Sequence, residues 1–387
     1  MKSNRSRLFF VIGSVAALLS IRAISSPGSS GRDPATRALA IFSDVLNLTR
    51  QNYVEPVDTK TLLQGSYDGM SDALDPFSYY VPASERAAYR AQQNTGTLGP
   101  GLLVARRGGF PYVVAPLPGS PAEKAGIKPG DLIDSVDGKP VRNAPLWKVK
   151  TALEGPEGTH VELALFHGGE DKRVTLKIPR ARFQPPALST KWDRDVAIVK
   201  IPSFTRETAE VLRQTVEEAN RRAISRMVID LRGNVGGDIA EAAPAVAVFT
   251  GKGPVARILS RRVTLAPLET TGDRLWKGRT VVLTDDATGG PAEVFAAAVH
   301  DRGEGITVGE TTVGMAVVQR LVPTESGGTL YMSVGRYVSP SGTVLGGKGL
   351  IPDDRVLVFP GESEAKDPIL TRGLEVVRGA VAGRRAA

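Results

Sequence analysis

Alternating apolar and polar positions divide the chain into segments with different periodicities. Apolar residues recur at helical spacing from Ala40 to Val54 and again from about Thr59 to Leu74, which predicts a helical module over residues 34–95. The dipeptide Asp75-Pro76 ends the second helix, because a residue that precedes proline avoids the helical conformation. The module contains no catalytic motif, and we predict that it serves packing and interfaces.

Residues 96–182 have a different pattern, in which short strands surround two short helices. The phrase from Gly119 to Ile133 predicts a turn followed by a helix with Ser120 as its cap and Pro121 in its first position. Apolar spacing predicts a second helix over 146–153 and closing strands over 161–166 and 174–178.

Strands and helices alternate over residues 190–358, which predicts an α/β core with buried parallel strands. Val196–Ile201 and Met227–Arg232 have the pattern of such strands, and Glu207–Ala223 that of an amphipathic helix capped by Thr205. Helical spacing returns from Asp367 to Val377, within a tail formed by residues 359–387. The tail therefore carries one predicted helix.

The stretch from Thr280 to Gln319 is the best candidate for a functional site. A strand over Thr280–Thr284 is followed by a polar turn over Asp285–Gly290 and a helix that starts at Pro291, and residues 306–308 form the next strand. Ligand sites of open α/β sheets lie at the carboxyl ends of the strands. The pattern therefore predicts the site at this turn.

Composition excludes several classes of function. The 387 residues carry a net charge of +8, which falls to +4 without the four basic residues of the first 25, and no Lys/Arg block suggests nucleic-acid binding. Cysteine is absent, so disulfides and a thiol nucleophile are excluded. The three histidines, His160, His167 and His300, are too scattered for a zinc site, and we expect no metal and no cofactor.

The amino terminus has the pattern of an export signal. Lys2, Arg5 and Arg7 precede the apolar stretch Leu8–Ile21, which is short for a membrane span but typical of a secretory signal. A buried core helix is disfavoured by the charged start and by the Ser/Gly-rich residues 25–31. We expect residues 1–25 to be a signal peptide or signal anchor, with cleavage left open. We therefore expect the protein to be in the periplasm or on the outer face of the cytoplasmic membrane. Only residues 1–25 are expected to contact the membrane.

Several phrases make the chain similar to the carboxy-terminal processing peptidases, also called tail-specific proteases. The resemblance covers nearly everything after the predicted export signal, in the order that the family has. It implies a multidomain α/β fold with a helical amino-terminal module, a PDZ domain over 96–182 and a ClpP/crotonase-like α/β protease core over 190–358. The phrases are Leu74–Ser78, Gly119–Ile133, Asp230–Gly237, Thr280–Gln319, Gly335–Gly342 and Gly347–Asp353.

The same resemblance implies the positions of the catalytic groups. With Ala292-Glu293 and Gly309-Glu310 aligned to the family, its nucleophilic serine falls at Gly290, its lysine at Met315 and its assisting glutamine at Gln319. Glycine offers no hydroxyl, and methionine cannot accept a proton.

The oxyanion hole is also affected. One of its donors in the family is the N–H after the nucleophile, but that residue here is Pro291, which has no N–H. The other donor would come from Gly236 or Gly237.

A shifted register cannot restore the catalytic pair. No serine occurs between Arg261 and Pro323, and no lysine between Lys277 and Lys348. Our hypothesis is therefore a serine peptidase fold without its usual chemistry. The rival is an active endopeptidase that uses Thr288, for which the sequence shows no base. Asp285 and Asp286 are expected to be solvated turn residues.

The resemblance to PDZ domains implies that protein carboxyl termini bind at the loop Gly99-Pro100-Gly101-Leu102. PDZ domains capture a terminal carboxylate on main-chain N–H groups and add the peptide as a strand. Because Pro100 removes one donor, we expect capture to weaken by about 1 kcal/mol or more. An active homologous protease is the other expected partner, and a purely structural docking protein of the cell envelope is a third hypothesis.

Overall fold

The computed structural model describes residues 33–94, 98–168, 172–262, 264–358 and 367–379. The predicted export signal, residues 1–25, lies outside these ranges. None of the described helices has the length and apolar character needed to cross a bilayer. Internal contacts divide the described residues into two compact units, with the boundary between Gly65 and Ser66, and each unit is described by itself.

The described residues of the first unit are mainly helical, as predicted. Helix α1 spans Pro34–Asn52, and Asp33 caps it by accepting a hydrogen bond from the Ala35 N–H. Several large apolar side chains of α1, including Phe42, are exposed. Helix α2 spans Thr59–Asp72 and continues past the boundary between the units.

The second unit contains sheets and helices in alternation. Its elements are, in chain order, β1 Tyr79–Val81, α3 Arg86–Asn94, β2 Leu102–Arg107, β3 Phe110–Pro116, α4 Pro121–Lys124, β4 Leu132–Val136, β5 Lys139–Pro140, α5 Leu146–Leu153, β6 His160–Phe166, β7 Arg173–Pro179, β8 Ser189–Asp193, β9 Val196–Lys200, β10 Ser203–Phe204, α6 Thr208–Arg221, β11 Arg226–Asp230, β12 Gly236–Gly237, α7 Ile239–Thr250, β13 Gly253–Leu259, β14 Leu268–Thr270, β15 Arg279–Thr284, α8 Pro291–Asp301, β16 Ile306–Gly309, β17 Val317–Pro323, β18 Thr329–Val338, β19 Asp354–Arg355 and α9 Pro368–Arg378.

The first sheet of this unit has the strand order β2-β3-β4-β6-β7, with β5 paired to β4. Helix α5 has the bounds that its apolar spacing predicts, and it buries Leu146, Val149 and Leu153 against the sheet. Ser120 caps α4 by accepting a hydrogen bond from the Glu123 N–H at 3.1 Å, as predicted. Strand β2 lies at the edge of the sheet.

The central sheet of the core has the order β19-β16-β15-β11-β9-β8 and is parallel except for β8. Alternate residues of its strands face opposite layers. Ile229 faces α6, α7 and α8, whereas Val228 faces α9. Burial on both faces explains the continuous apolar runs that the sequence shows at these strands.

Two details differ from the sequence-based predictions. The residues predicted as a helical module also form a short strand, β1, in which Tyr79 pairs with Tyr331 of β18 in a second core sheet. Thr205 does not cap α6, because Glu207 occupies the cap position without a side-chain hydrogen bond to the helix. The Thr205 N–H instead donates to the Thr208 hydroxyl at 2.9 Å.

Candidate functional site

Two turns meet at the carboxyl edge of the central sheet, where the sequence predicts the site. Strands β11 and β15 are parallel neighbours, so the segments that follow them lie side by side. The Gly233 N–H donates to the carboxylate of Asp285 at 3.0 Å, and the Gly289 N–H donates to the Asn234 carbonyl at 2.8 Å. The turn after β15 is therefore fixed to the Gly-rich turn after β11.

Thr288 is part of this connection. Its side chain is fully buried, and its hydroxyl lies 2.6 Å from the Asp285 carboxylate and 3.2 Å from the Leu231 carbonyl. Asp285 is thus not the solvated turn residue that we expected, although Asp286 is exposed. Burial raises the pKa of Asp285, and the hydrogen bonds from Thr288 and Gly233 oppose this effect.

Gly290 occupies the residue position before α8 with φ 58° and ψ −115°. Positive φ is rare for residues with a side chain, but strained strand-to-helix turns of this kind present catalytic nucleophiles in some hydrolases. A Cβ atom placed on Gly290 would meet no atom within 4 Å. The position therefore has the backbone and the space for a nucleophile but no side chain.

The donors expected for an oxyanion hole are depleted. Pro291 is the first residue of α8 and has no N–H. The Gly236 N–H already donates to the Asn234 side chain at 3.2 Å. Gly237 has φ 100°, and a Cβ atom there would lie 2.0 Å from the Phe204 carbonyl oxygen, so this glycine is required by close packing.

Met315 lies beside the empty position and belongs to an apolar contact. Its sulfur is 3.4 Å from the point where a Cβ atom of Gly289 would be. It packs in a group that joins the β2–β3 sheet to the core, and we call this group the interdomain cluster. Its members are Leu103, Ala115, Leu117, Val235, Ala287, Val313 and Met315.

Glu293, which the sequence did not single out, connects the two sides of the site. It is completely buried in the first turn of α8, and its carboxylate accepts hydrogen bonds from the Gly290 and Ala316 N–H groups, both at 2.9 Å. The Gly314 N–H and the Thr312 hydroxyl donate to its other oxygen at 2.5 Å. Burial raises the pKa of Glu293 to about 7, while these donors favour its charged form.

A groove of about 840 Å³ lies between the edge strand β2 and helix α5. The loop Gly99–Leu102 lines this groove. The carbonyls of Pro100 and Gly101 accept hydrogen bonds from the Ala122 and Leu117 N–H groups at 2.9 and 2.8 Å, so the loop is held in place from behind.

Two family descriptions match this chain. The model of peptidase family S41 matches residues 195–356. The core of this chain belongs to peptidase family S41. The model of the PDZ domain matches residues 112–166, so the sheet of β2 to β7 with α4 and α5 is a PDZ domain.

Individual relatives agree with this assignment. The carboxy-terminal-processing protease of Bartonella bacilliformis is 27% identical over 387 residues, which cover 98% of this chain and 89% of that protein. The carboxy-terminal processing protease CtpA of Bacillus subtilis is 29% identical over 356 residues, covering 89% and 76% of the two chains. A solved photosystem II D1 C-terminal processing protease has the same fold, with a TM-score of 0.63, 24% identity and coverage of 82% and 92%. The predicted fold class is confirmed.

The S41 core of this chain brings some of the predicted residues together and leaves one apart. Gly290, Pro291 and Met315 lie around one turn, connected through Glu293. Gln319 lies in β17, where its side-chain oxygen accepts a hydrogen bond from the Tyr331 hydroxyl at 3.0 Å, and its buried amide nitrogen has no partner among the described residues. The hydrogen-bond partner of Gln319, Tyr331, is thus not a residue of the Gly290 turn.

The S41 core offers little support for a catalytic role of Lys348 or for a metal site. The Lys348 side chain is exposed, and its main chain packs against Gly314. Within the described residues, no group of three or more His, Asp or Glu side chains is arranged to hold a metal ion.

Glu293 could have been suspected from the sequence, because a glutamate three residues after a cap position often bonds back to the cap N–H.

Proposed function

We propose that this protein is an exported, catalytically inactive member of peptidase family S41 that binds protein carboxyl termini through its PDZ domain. The observation that carries the proposal is Gly290, which has the backbone conformation and open space of a nucleophile position without a side chain. Nucleophilic catalysis requires a hydroxyl and a nearby base. Gly290 has no hydroxyl, and Met315, at the position of the base, is an apolar residue.

Met315 supports the loss of function in a second, independent way. Its side chain contributes to the interdomain cluster, so the position of the base now stabilises the contact between the PDZ domain and the core. This apolar packing gives methionine at position 315 a structural role. Removal of the nucleophile or the base from a serine protease costs about 10⁶-fold in rate.

The rival hypothesis, in which Thr288 acts as the nucleophile, has little geometric support. Its hydroxyl is inaccessible and is used to fix the turn, with bonds to Asp285 and the Leu231 carbonyl. Attack on a peptide bond would require this turn to open.

The PDZ groove indicates the ligand class. Its carboxylate loop is in place and its edge strand is available at the loop end. Relatives of this chain are named carboxy-terminal processing proteases, which supports protein carboxyl termini as ligands here as well. We propose an active homologous protease as a second partner, for which the protein would act as a regulator or adaptor.

The decisive experiment measures cleavage of an unfolded protein with an apolar carboxyl terminus. Wild type is compared with the double variant Gly290→Ser/Met315→Lys and with Thr288→Ala. We expect no turnover by wild type and measurable turnover by the double variant. Wild-type turnover that Thr288→Ala abolishes would show that the protein is an active enzyme with a different nucleophile.

The partner and the compartment need separate measurements. Crosslinking in intact cells followed by purification should enrich an active S41 homologue if the protein is a regulator. Enrichment of envelope structural proteins alone would favour the docking hypothesis.

Fractionation with a reporter fused after residue 33 tests export, and a reporter that stays in the cytoplasm would refute it.

A further inference from the structure

Helix α1 has a broad apolar face that is exposed. None of its 19 residues is buried. The apolar side chains that are more than half exposed are Leu39, Ile41, Val45 and Leu48. Most of the stability of a helix in a protein comes from the packing of an amphipathic face. As described, α1 therefore lacks the contact that would stabilise it.

The apolar face of α1 is wider than a partner helix requires. Because successive residues turn by about 100°, its apolar side chains cover an arc of about 180°. They are Ala38, Leu39, Ile41, Phe42, Val45, Leu46 and Leu48. The seam of a two-stranded coiled coil uses only about two positions in seven. An arc as wide as that of α1 fits a flat apolar boundary such as a membrane interface.

Polar side chains within this arc are satisfied by the helix itself. The Thr49 hydroxyl donates to the Val45 carbonyl at 2.8 Å, and the Asn52 amide donates to the Leu48 carbonyl at 2.9 Å. A polar group in an apolar environment costs free energy unless it has a hydrogen-bond partner. These two bonds therefore reduce the cost of placing the face among acyl chains.

The charges of α1 are compatible with lipid headgroups. Arg37 and Arg50 lie at the two borders of the arc, and Tyr53, directly after the helix, is 60% exposed. Arginine side chains extend from an apolar boundary towards water, and tyrosine is enriched at membrane interfaces. Asp44 is the one acid of α1, so the helix has a net charge of +1. Apolar contact rather than charge would therefore supply most of the binding.

Chain connectivity favours a membrane over a protein surface as the partner of α1. Residues 22–33, twelve in all, separate the predicted apolar stretch Leu8–Ile21 from Pro34. Twelve residues span at most about 40 Å, so insertion of that stretch would hold α1 beside the same membrane. A tethered group meets its partner at a high effective concentration, whereas a second copy of the chain must arrive by diffusion.

We propose that α1 lies on the membrane that the export segment enters, with its axis parallel to the surface and its apolar face among the acyl chains. The partner is the lipid surface itself, a contact in addition to the one predicted for residues 1–25. The proposal rests on the proposed export of the chain and is independent of the proposed loss of catalysis.

The test uses the absence of cysteine, which allows a single label at any chosen position. Four variants of the full chain each carry one nitroxide spin label and are reconstituted into vesicles of phosphatidylcholine and phosphatidylglycerol. Phe42→Cys and Val45→Cys report on the apolar face, and their matched controls, Ser43→Cys and Asn47→Cys, report on the opposite face. Power saturation measures the access of oxygen, which concentrates among acyl chains, and of a water-soluble nickel complex. We expect the oxygen-to-nickel ratio to be several-fold higher at positions 42 and 45 than at positions 43 and 47.

Two results would overturn the proposal. High nickel access at all four positions would show that the face is in water. Labels at 42 and 45 that neither reagent reaches would show a protein partner, and spin–spin broadening would identify that partner as a second copy. Circular dichroism establishes that each variant is folded.

The reporter fractionation described above separates this proposal from the proposed export. A cytoplasmic reporter together with the expected accessibility pattern would refute export and support the lipid contact of α1. An exported reporter together with four labels in water would refute the lipid contact alone.

Discussion

One carboxylate oxygen of Glu293 accepts a hydrogen bond from the main-chain N–H of Gly290 at 2.9 Å. The same carboxylate binds the Gly314 and Ala316 N–H groups on either side of Met315. The two positions that the resemblance assigns to the nucleophile and the base, Gly290 and Met315, are thus joined through a buried acid.

Glu293→Gln should destabilise the protein strongly. An amide presents only one acceptor oxygen to four donors and directs N–H groups against the others, which leaves buried donors unsatisfied. We expect a loss of about 2–4 kcal/mol in the free energy of unfolding, measured by urea denaturation. Glu325→Gln, at an exposed position, is the control, and an equal effect of both substitutions would contradict this role.

The stability contributed by Glu293 should depend on pH. Its pKa is about 7 in the folded protein and near 4.5 when unfolded, so the folded state binds more protons between these values. The contribution of this group to the free energy of unfolding therefore falls as pH rises from about 4.5 to 7. Denaturation at several pH values, compared with Glu293→Gln, measures it. A difference between the two proteins that does not change with pH would contradict the raised pKa.

Gly290→Ser should be tolerated, whereas Gly237→Ala should not. Both glycines have positive φ, but a Cβ atom at Gly290 meets open space and one at Gly237 would lie 2.0 Å from the Phe204 carbonyl oxygen. We expect a cost of about 1–2 kcal/mol for Gly290→Ser, from backbone strain alone. Gly237→Ala should cost several-fold more in denaturation experiments. Similar costs would mean that the Gly290 turn is not open.

Met315→Lys alone should weaken the contact between the PDZ domain and the core. The substitution replaces an apolar side chain of the interdomain cluster with an ammonium group. We expect a loss of about 2 kcal/mol in stability and faster proteolysis in the linker 183–188. Met315→Leu keeps the apolar volume and should behave as wild type. If Lys and Leu gave the same cleavage rate, Met315 would not support the contact.

The local pattern of apolar residues predicted the helices and strands that bury one or both of their faces. Helix α5 and the strand–turn–helix from β15 to α8 appear where apolar spacing and Pro291 place them. Strand β1 escaped prediction because its three residues pair with a strand far along the chain. The four-donor environment of Glu293 and the packing of Met315 also depend on distant segments. From the sequence, Gly290 and Met315 could be proposed as site positions, but the contacts around them could not be predicted.

The pairing of β1 with β18 determines how the PDZ domain is attached. The PDZ domain lies between β1 and the strands of the core, and Tyr79 meets Tyr331 across roughly 250 intervening residues. The PDZ domain is therefore an insertion, tethered at both ends to one folded body rather than hanging from a single linker. A nascent chain cannot complete this attachment until β18, Thr329–Val338, has been synthesised.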